Sequence, residues 1–246
     1  MRDESWAVAG FGQGSLYDAA RPCYPDEAIS HLVHTFTLGA HSRVLDLGAG
    51  TGIFTRQLQK YVGEIVAVDP SPSMRETFEL QTPDVAVLDG NADAIPLADA
   101  TCDAVFAAQA FHWFNPGTAL PEIRRVLAPG GGLGLVWNRR DTEVDWIREL
   151  DHAMLWDQHQ PYESRRDYGA VVASGPFENV ALTTFRHCEE LTHEQVLQRV
   201  MTTSYITLMD PAQRDGLLND VTKVIESIRE PVGMAYATDV ITAHAI

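Results

Sequence analysis

The sequence predicts an α/β fold of the doubly wound kind, and three observations predict it. Val44, Leu45 and Leu47 read as the end of a buried strand, glycines stand at 48, 50 and 52, and Ile53, Phe54, Leu58 and Tyr61 begin a helical apolar pattern. Short apolar runs recur at 65–68, 85–88, 103–108 and 133–138, separated by amphipathic stretches. An acid, Asp69, closes the second run nineteen residues after Gly50. With 246 residues, 45% hydrophobic and 21% charged, the chain can bury one large core.

The segment before the first strand is not low in complexity. Phe11, Tyr17, Arg21, Pro22, Tyr24 and Pro25 form an aromatic and proline pattern, and Tyr17 and Arg21 stand one helical turn apart. A helix is expected over 26–36 (Ile29, Leu32, Val33, Phe36), with His31 and His34 as surface histidines because no carboxylate or thiol stands at ligand spacing.

The glycine loop carries the first functional signal. Its glycines let the backbone turn sharply and leave no Cβ between chain and ligand. A dinucleotide loop reads G-x-G-x-x-G, but here the third position falls on Ile53 and the loop is G-x-G-x-G. Asp46, just before it, would put a negative charge beside a pyrophosphate. The pattern suits a ligand with a cationic amino group, a carboxylate and no phosphate. Asp69 is placed to accept hydrogen bonds from a ribose diol, with an acidic cap near Pro70 as the plainer alternative.

Downstream, Ser71 and Pro72 open a helix as cap and first-turn proline, and 85–88 is a third strand. The fourth strand runs over 103–108 into Gln109-Ala110-Phe111-His112-Trp113-Phe114, and Asn115-Pro116 caps the next helix. In an open α/β sheet the ligand lies at the carboxyl ends of the strands, so His112 should face the cleft. A histidine titrates near pH 6.5 and can act as a general base. His112 therefore reads as a base, as a contact to substrate or cofactor, or as scaffold among core aromatics. A turn at 129–132 leads into a fifth strand over 133–138.

A helix is expected over 142–156, a charged mobile loop over 158–168 and a strand over 177–188. Thr192 to Gln195 is a capping box opening one helix, and Asp210-Pro211 opens another. A last strand spans 236–246. Two helices between the last strands exceed what a minimal sheet requires. They read as a lid carrying Trp156, Tyr205 and Met209 toward the substrate, with a homodimer surface as their alternative use.

Several of these stretches together resemble the class I S-adenosylmethionine (SAM) methyltransferases, and within them the type 11 or trans-aconitate-like small-molecule subset. The matching stretches are Val44 to Phe54, Tyr17-Asp18-Ala19-Ala20-Arg21-Pro22-Cys23-Tyr24-Pro25, Asp89 to Leu97, the F-H-W-F segment and Pro129-Gly130-Gly131-Gly132. The resemblance is strongest over 11–138. It implies a Rossmann-like seven-stranded mixed sheet in the order 3-2-1-4-5-7-6 with the last strand antiparallel. It also implies a single domain over 1–246, made of an arm and helix (1–36), a SAM-binding core (42–138) and a C-terminal part with the helical cap and last two strands (139–246). Cofactor contacts are then expected at Tyr17, Arg21, Asp46, Gly48, Ala49, Gly50, Asp69, Pro70, Met74, Asn91, Ala92 and Gln109. Met74 would touch the adenine ring, and Asn91 stands where many relatives have an acid. Tyr24, Phe111, Trp113, Trp137 and Tyr205 are expected at the methyl acceptor, with His112 as base or acceptor contact.

The implied activity is transfer of a methyl group from SAM to a small molecule. Rival readings are a SAM-binding cyclase, lyase or regulatory protein, a protein or RNA methyltransferase, and a nucleotide-linked oxidoreductase, which Ile53 and Asp46 disfavour. Net charge is −16, with 18 basic against 34 acidic residues, a poor match for phosphate backbones, so no nucleic-acid partner is expected. Cys23, Cys102 and Cys188 are scattered and read as reduced thiols, with no metal site. No stretch approaches membrane-span length and the N-terminus shows no leader pattern, so a cytoplasmic protein with no membrane partner is expected.

Overall fold

A computed structural model of the chain describes residues 21–159 and 167–246. Among these residues seven strands form one mixed sheet in the order β3-β2-β1-β4-β5-β7-β6, the order implied above. The strands are β1 (Arg43–Leu47), β2 (Glu64–Asp69), β3 (Ala86–Asp89), β4 (Cys102–Ala108), β5 (Leu127–Arg140), β6 (Phe177–Leu191) and β7 (Val232–Ala245). Parallel pairing joins β1 to β2 and β4, β2 to β3, and β4 to β5. The helices are α1 (Asp26–Thr35), α2 (Ile53–Leu58), α3 (Pro72–Gln81), α4 (Pro116–Val126), α5 (Asp145–Ala153), α6 (Trp156–His159), α7 (Tyr168–Ala173), α8 (His193–Met201), α9 (Ser204–Thr207) and α10 (Pro211–Glu226). None of the described helices is long and apolar enough to cross a membrane.

Alternation along the strands explains why both faces of the sheet are covered. Leu45 and Leu47 of β1, with Val105 and Ala107 of β4, join one apolar cluster that α4 completes through Leu120 and Ile123. Val44 of β1, with Ala104 and Phe106 of β4, joins a second that takes in Phe54 and Leu58 of α2 and Ile29 and Leu32 of α1. Successive side chains point to opposite faces, so a strand apolar at every position needs helices on both. The approach on the second face is close. A Cβ on Gly132 would lie 2.2 Å from Phe36 Cδ1, so only glycine lets that ring rest on β5.

The described residues divide into two compact units. One comprises 23–138, 167–185 and 238–246, and the other 21–22, 139–159 and 186–237. Both clusters above belong to the first. The second has its own core, in which Ile147 and Leu150 of α5 meet Val196 and Val200 of α8 and Leu217, Val221 and Ile225 of α10.

Several local expectations change on folding. The turn at 129–132 is absorbed into β5, because the register passes from Cys102↔Leu127 to Ala104↔Gly132 and residues 128–131 bulge out of the ladder. The helix expected over 142–156 breaks after α5, where Leu155 adopts a φ of +55° before α6 begins. The ends of the loop expected over 158–168 are helical in α6 and α7, and 160–166 lie outside the described residues. Three helices, not two, separate β6 from β7. The capping box forms: Thr192 Oγ1 accepts the Gln195 N–H and Gln195 Oε1 accepts the Thr192 N–H. Ser71 holds the cap position of α3 without a capping bond from its side chain. His31 is no surface histidine. Its ring packs 5.4 Å from Phe185, and its Nε2 is buried without a hydrogen-bond partner among the described residues.

Candidate active site

The site is built at the carboxyl ends of β1, β2 and β4. Leaving β1, the chain donates the Gly48 and Ala49 N–H groups to the Val68 carbonyl at 2.8 and 3.1 Å, which ties the loop to β2. Gly48 (φ +74°) and Gly50 (φ +56°) both lie in the left-handed region that glycine enters without strain. Their surroundings differ. A Cβ on Gly48 would stand 2.6 Å from Ala110 Cβ, whereas one on Gly50 would meet nothing within 4 Å among the described residues.

Asp69 links the two strand ends. Its Oδ2 accepts the Gly50 N–H at 2.8 Å and its Oδ1 accepts the Ser71 N–H at 2.9 Å. The carboxylate is 7% exposed, and burial pushes its pKa upward against those two bonds. A carboxylate has about four lone-pair sites, so each oxygen keeps capacity beyond its backbone bond. The backbone open at Gly50 and the unspent acceptor capacity of Asp69 fit an adenosyl group with a ribose diol.

Asp46, expected among the cofactor contacts, lies in the core. It is wholly buried, its Oδ2 accepts the Thr55 hydroxyl at 2.5 Å, and its Oδ1 has no hydrogen-bond partner among the described residues. Desolvation is the main reason its pKa rises to about 7, opposed by the Thr55 bond and reinforced by the charge of Asp69. The carboxyl is out of solvent, and its bond to Thr55 ties it to α2.

Next to these, Met74 is buried in α3, Pro70 is exposed, and Ala92 is buried in the core under the loop that follows β3. Asn91 caps its own turn, because its Oδ1 accepts the Asp93 and Ala94 N–H groups at 2.9 and 3.1 Å. Both lone pairs of that oxygen are spent, so it is not the receiver of an adenine amino group. Gln109 ends β4 at φ +54° and donates its Nε2 to the Asn138 carbonyl at 2.8 Å. That left-handed turn sends the chain into the short 3-10 segment Phe111–Trp113, the kind of backbone strain that collects at functional sites.

In that segment His112 is half-buried, with its ring centroid 4.7 Å from that of Trp113. Trp113 is one of the exposed large apolar residues. Trp137 donates its indole Nε1–H to His112 Nδ1 at 3.5 Å and stacks on Tyr168 at 4.8 Å, with 14° between the planes. Two expected acceptor contacts prove to be core residues. Phe111 is 1% exposed and packed edge-on by Phe114 and Tyr168. Tyr24 is buried against Phe54, and its backbone N–H and carbonyl are both bonded by the Gln57 side-chain amide. Apolar burial of large rings outweighs what a sequence pattern can say about direction.

The other unit holds the remaining predicted residues. The Arg21 guanidinium donates to the Thr202 carbonyl at 3.0 Å. Tyr205 donates its hydroxyl to the Met154 carbonyl at 2.7 Å beside Trp156, and burial drives its pKa upward. Tyr17 lies outside the described residues. Sequence reasoning missed Thr55, Tyr168 and the pair Glu122 and Arg125. Only the last pair left a signal, its i,i+3 spacing on α4.

This mixed sheet, with its open glycine loop and an acid at the end of the second strand, defines an α/β fold whose strand ends fit an adenosyl group. A family model described as methyltransferase domain matches residues 45–135. Over 197 residues the chain is 42% identical to an uncharacterized methyltransferase of Mycobacterium tuberculosis, covering 80% of this chain and 76% of that protein. It is 33% identical over 139 residues to a malonyl-[acyl-carrier protein] O-methyltransferase of Methylococcus capsulatus, covering 53% of this chain and 50% of that one. In structure it resembles a protein assigned as a type II methyltransferase from Anaeromyxobacter dehalogenans, with a TM-score of 0.72 and 22% identity over 92% of this chain and 97% of that one. The chain belongs to the class I SAM-dependent methyltransferases.

Proposed function

We propose that this enzyme transfers the methyl group of SAM to a small-molecule acceptor in the cytoplasm. The observation that carries the cofactor part is the bond from Gly50 to Asp69 beside an open glycine backbone. Asp69 would hold the ribose diol, Met74 and Ala92 would give the adenine an apolar bed, and the loop at 48–50 would lie along the methionine end. SAM, when bound, supplies a methyl group already activated on a sulfonium. The chain's own work is therefore to align the acceptor and keep water out, and fixing two reactants in attack geometry is worth about 7–11 kcal/mol. A small acceptor is supported by the net charge of −16, which repels nucleic acid.

The test has two parts. Calorimetry with SAM and S-adenosylhomocysteine should show binding that Asp69→Ala weakens about tenfold to a hundredfold, the worth of one or two hydrogen bonds to a charged acceptor. An unchanged Kd removes Asp69 from the site. Labelled-methyl SAM incubated with a small-metabolite extract should give a labelled product by mass spectrometry, and label appearing only in protein or RNA overturns the small-molecule reading.

A further inference from the structure

We propose that Arg75 is a positioning residue of the cofactor site. It holds the ends of β2 and β3 together and keeps the Asp69 carboxyl ionised, so that both oxygens remain acceptors for a ribose diol into mildly acid solution. The consequence for SAM rests on the methyl-transfer reading, in which Asp69 takes the diol. The register of the parallel pair sets Asp69 beside Asp89 at the carboxyl ends of the two strands. Two carboxylates on adjacent strands repel each other. Arg75 answers both. Its Nη1 donates to the Asp69 carbonyl at 2.8 Å and to Asp89 Oδ1 at 2.9 Å, and its side chain is 18% exposed. It stands fourth in α3, near the positive end of the helix, where a cation gains nothing from the helix dipole. The acids, not the helix, explain its place.

The charge matters because each Asp69 oxygen already accepts one backbone N–H, from Gly50 and from Ser71. A neutral carboxyl carries hydrogen on one oxygen, and offers a donor where a diol needs an acceptor. Space lies beside it, since a Cβ on Gly50 would meet nothing within 4 Å among the described residues. Burial pushes the carboxyl upward, and the Ser71 and Gly50 N–H groups and the Arg75 charge draw it back. Acids stand on both neighbouring strands, Asp89 on β3 and the buried Asp46 on β1. Among the described residues Arg75 is the cation that acts on Asp69 against them.

Carbon NMR of protein labelled with 13C at its aspartate carboxyls reads the charge of Asp69 without SAM or acceptor, with the signal assigned by comparison with Asp69→Asn. Wild-type Asp69 should be ionised at pH 7 and stay so to lower pH than in Arg75→Gln, which keeps a donor and loses the charge. Arg75→Lys, which keeps a charge, should follow the wild type. A wild-type Asp69 that is neutral at pH 7, or one that titrates alike in all three proteins, overturns the proposal. The first of these outcomes decides even if Arg75→Gln does not fold. Calorimetry then reads the consequence. The SAM Kd of Arg75→Gln should exceed that of wild type about twofold at pH 8 and about tenfold at pH 5.5, because the variant takes up the proton first. Arg75→Lys should stay within about twofold of wild type at both. Asp46 titrates in the same window, but it does so in every protein and cancels from the ratio. A ratio that does not change with pH would make Arg75 a brace and overturn its electrostatic role. A wild type that binds no SAM at pH 8 defeats the methyl-transfer reading alone, and the NMR titration still decides the charge of Asp69.

Discussion

The glycine loop at 48–52 is held by its own backbone and the neighbouring strand, whereas the loop running from β3 to β4 is held by side chains reaching over from α4. Gly48 and Ala49 share the Val68 carbonyl and Gly50 is caught by Asp69, all through groups that the strand ends bring together automatically. In the second loop, Arg125 donates to the carbonyls of Ile95 and Leu97 at 2.9 and 2.8 Å and to Asp99 at 2.8 Å. It is gripped from behind by both oxygens of Glu122, and Glu122 Oε2 also accepts the Ile95 N–H at 3.0 Å. That clamp keeps the Glu122 carboxyl below its ordinary pKa, chiefly through the bond from Arg125. One wall of the site is therefore a consequence of sheet geometry, and the other depends on one arginine and its two ion pairs. Damage to the first should cost folding and binding together, and damage to the second should cost mainly binding.

The sharpest break is Gly48→Ala. A left-handed φ of +74° and a contact of 2.6 Å to Ala110 combine strain with overpacking. The expected loss is about 3–5 kcal/mol of stability, read by urea denaturation, with SAM binding lost alongside. A stable variant that binds normally would show the loop to be more pliable than its contacts imply.

Smaller, and of opposite use, is Asp46→Asn. The folded pKa of about 7 lies above the ordinary value of 3.8, so the native state holds a proton that the unfolded chain has released. The stability tied to this group is present below about pH 4 and is lost as pH rises through 7. Between pH 5 and 8 the wild type should lose about 2–3 kcal/mol relative to Asp46→Asn. Parallel pH profiles for the two proteins would place the titration elsewhere.

The mildest is Arg125→Met. The guanidinium is about a third exposed, so its ion pairs are partly screened and the stability loss should be about 1 kcal/mol. The SAM Kd should rise about threefold to fivefold. A loss of stability without a change in Kd would detach the clamp from the cofactor site and collapse the contrast between the two walls.

The motif-bearing half of the molecule was legible because each motif serves short-range needs. Glycines at positive φ, proline after a cap, and an acid at a strand end are demands of the local backbone. They place Gly48, Gly50, Asp69 and the Asn115 cap before any tertiary contact is known. Direction was harder to read. Phe111 and Tyr24 carry the residue types of an acceptor pocket but turn into the core, because the apolar clusters they complete lie on other segments of the chain.

The sequence by itself determined the alternation of strands and helices, the glycine turn and the acid that meets it, since hydrophobic periodicity and backbone freedom act over a few residues, whereas the strand order was implied by the family resemblance. Only the tertiary structure decided that Asp46 lies dry beside Thr55, that Glu122 and Arg125 pin a loop some thirty residues away, and that an indole from β5 meets His112. These depend on which side chains meet across the fold, where burial sets the charge state.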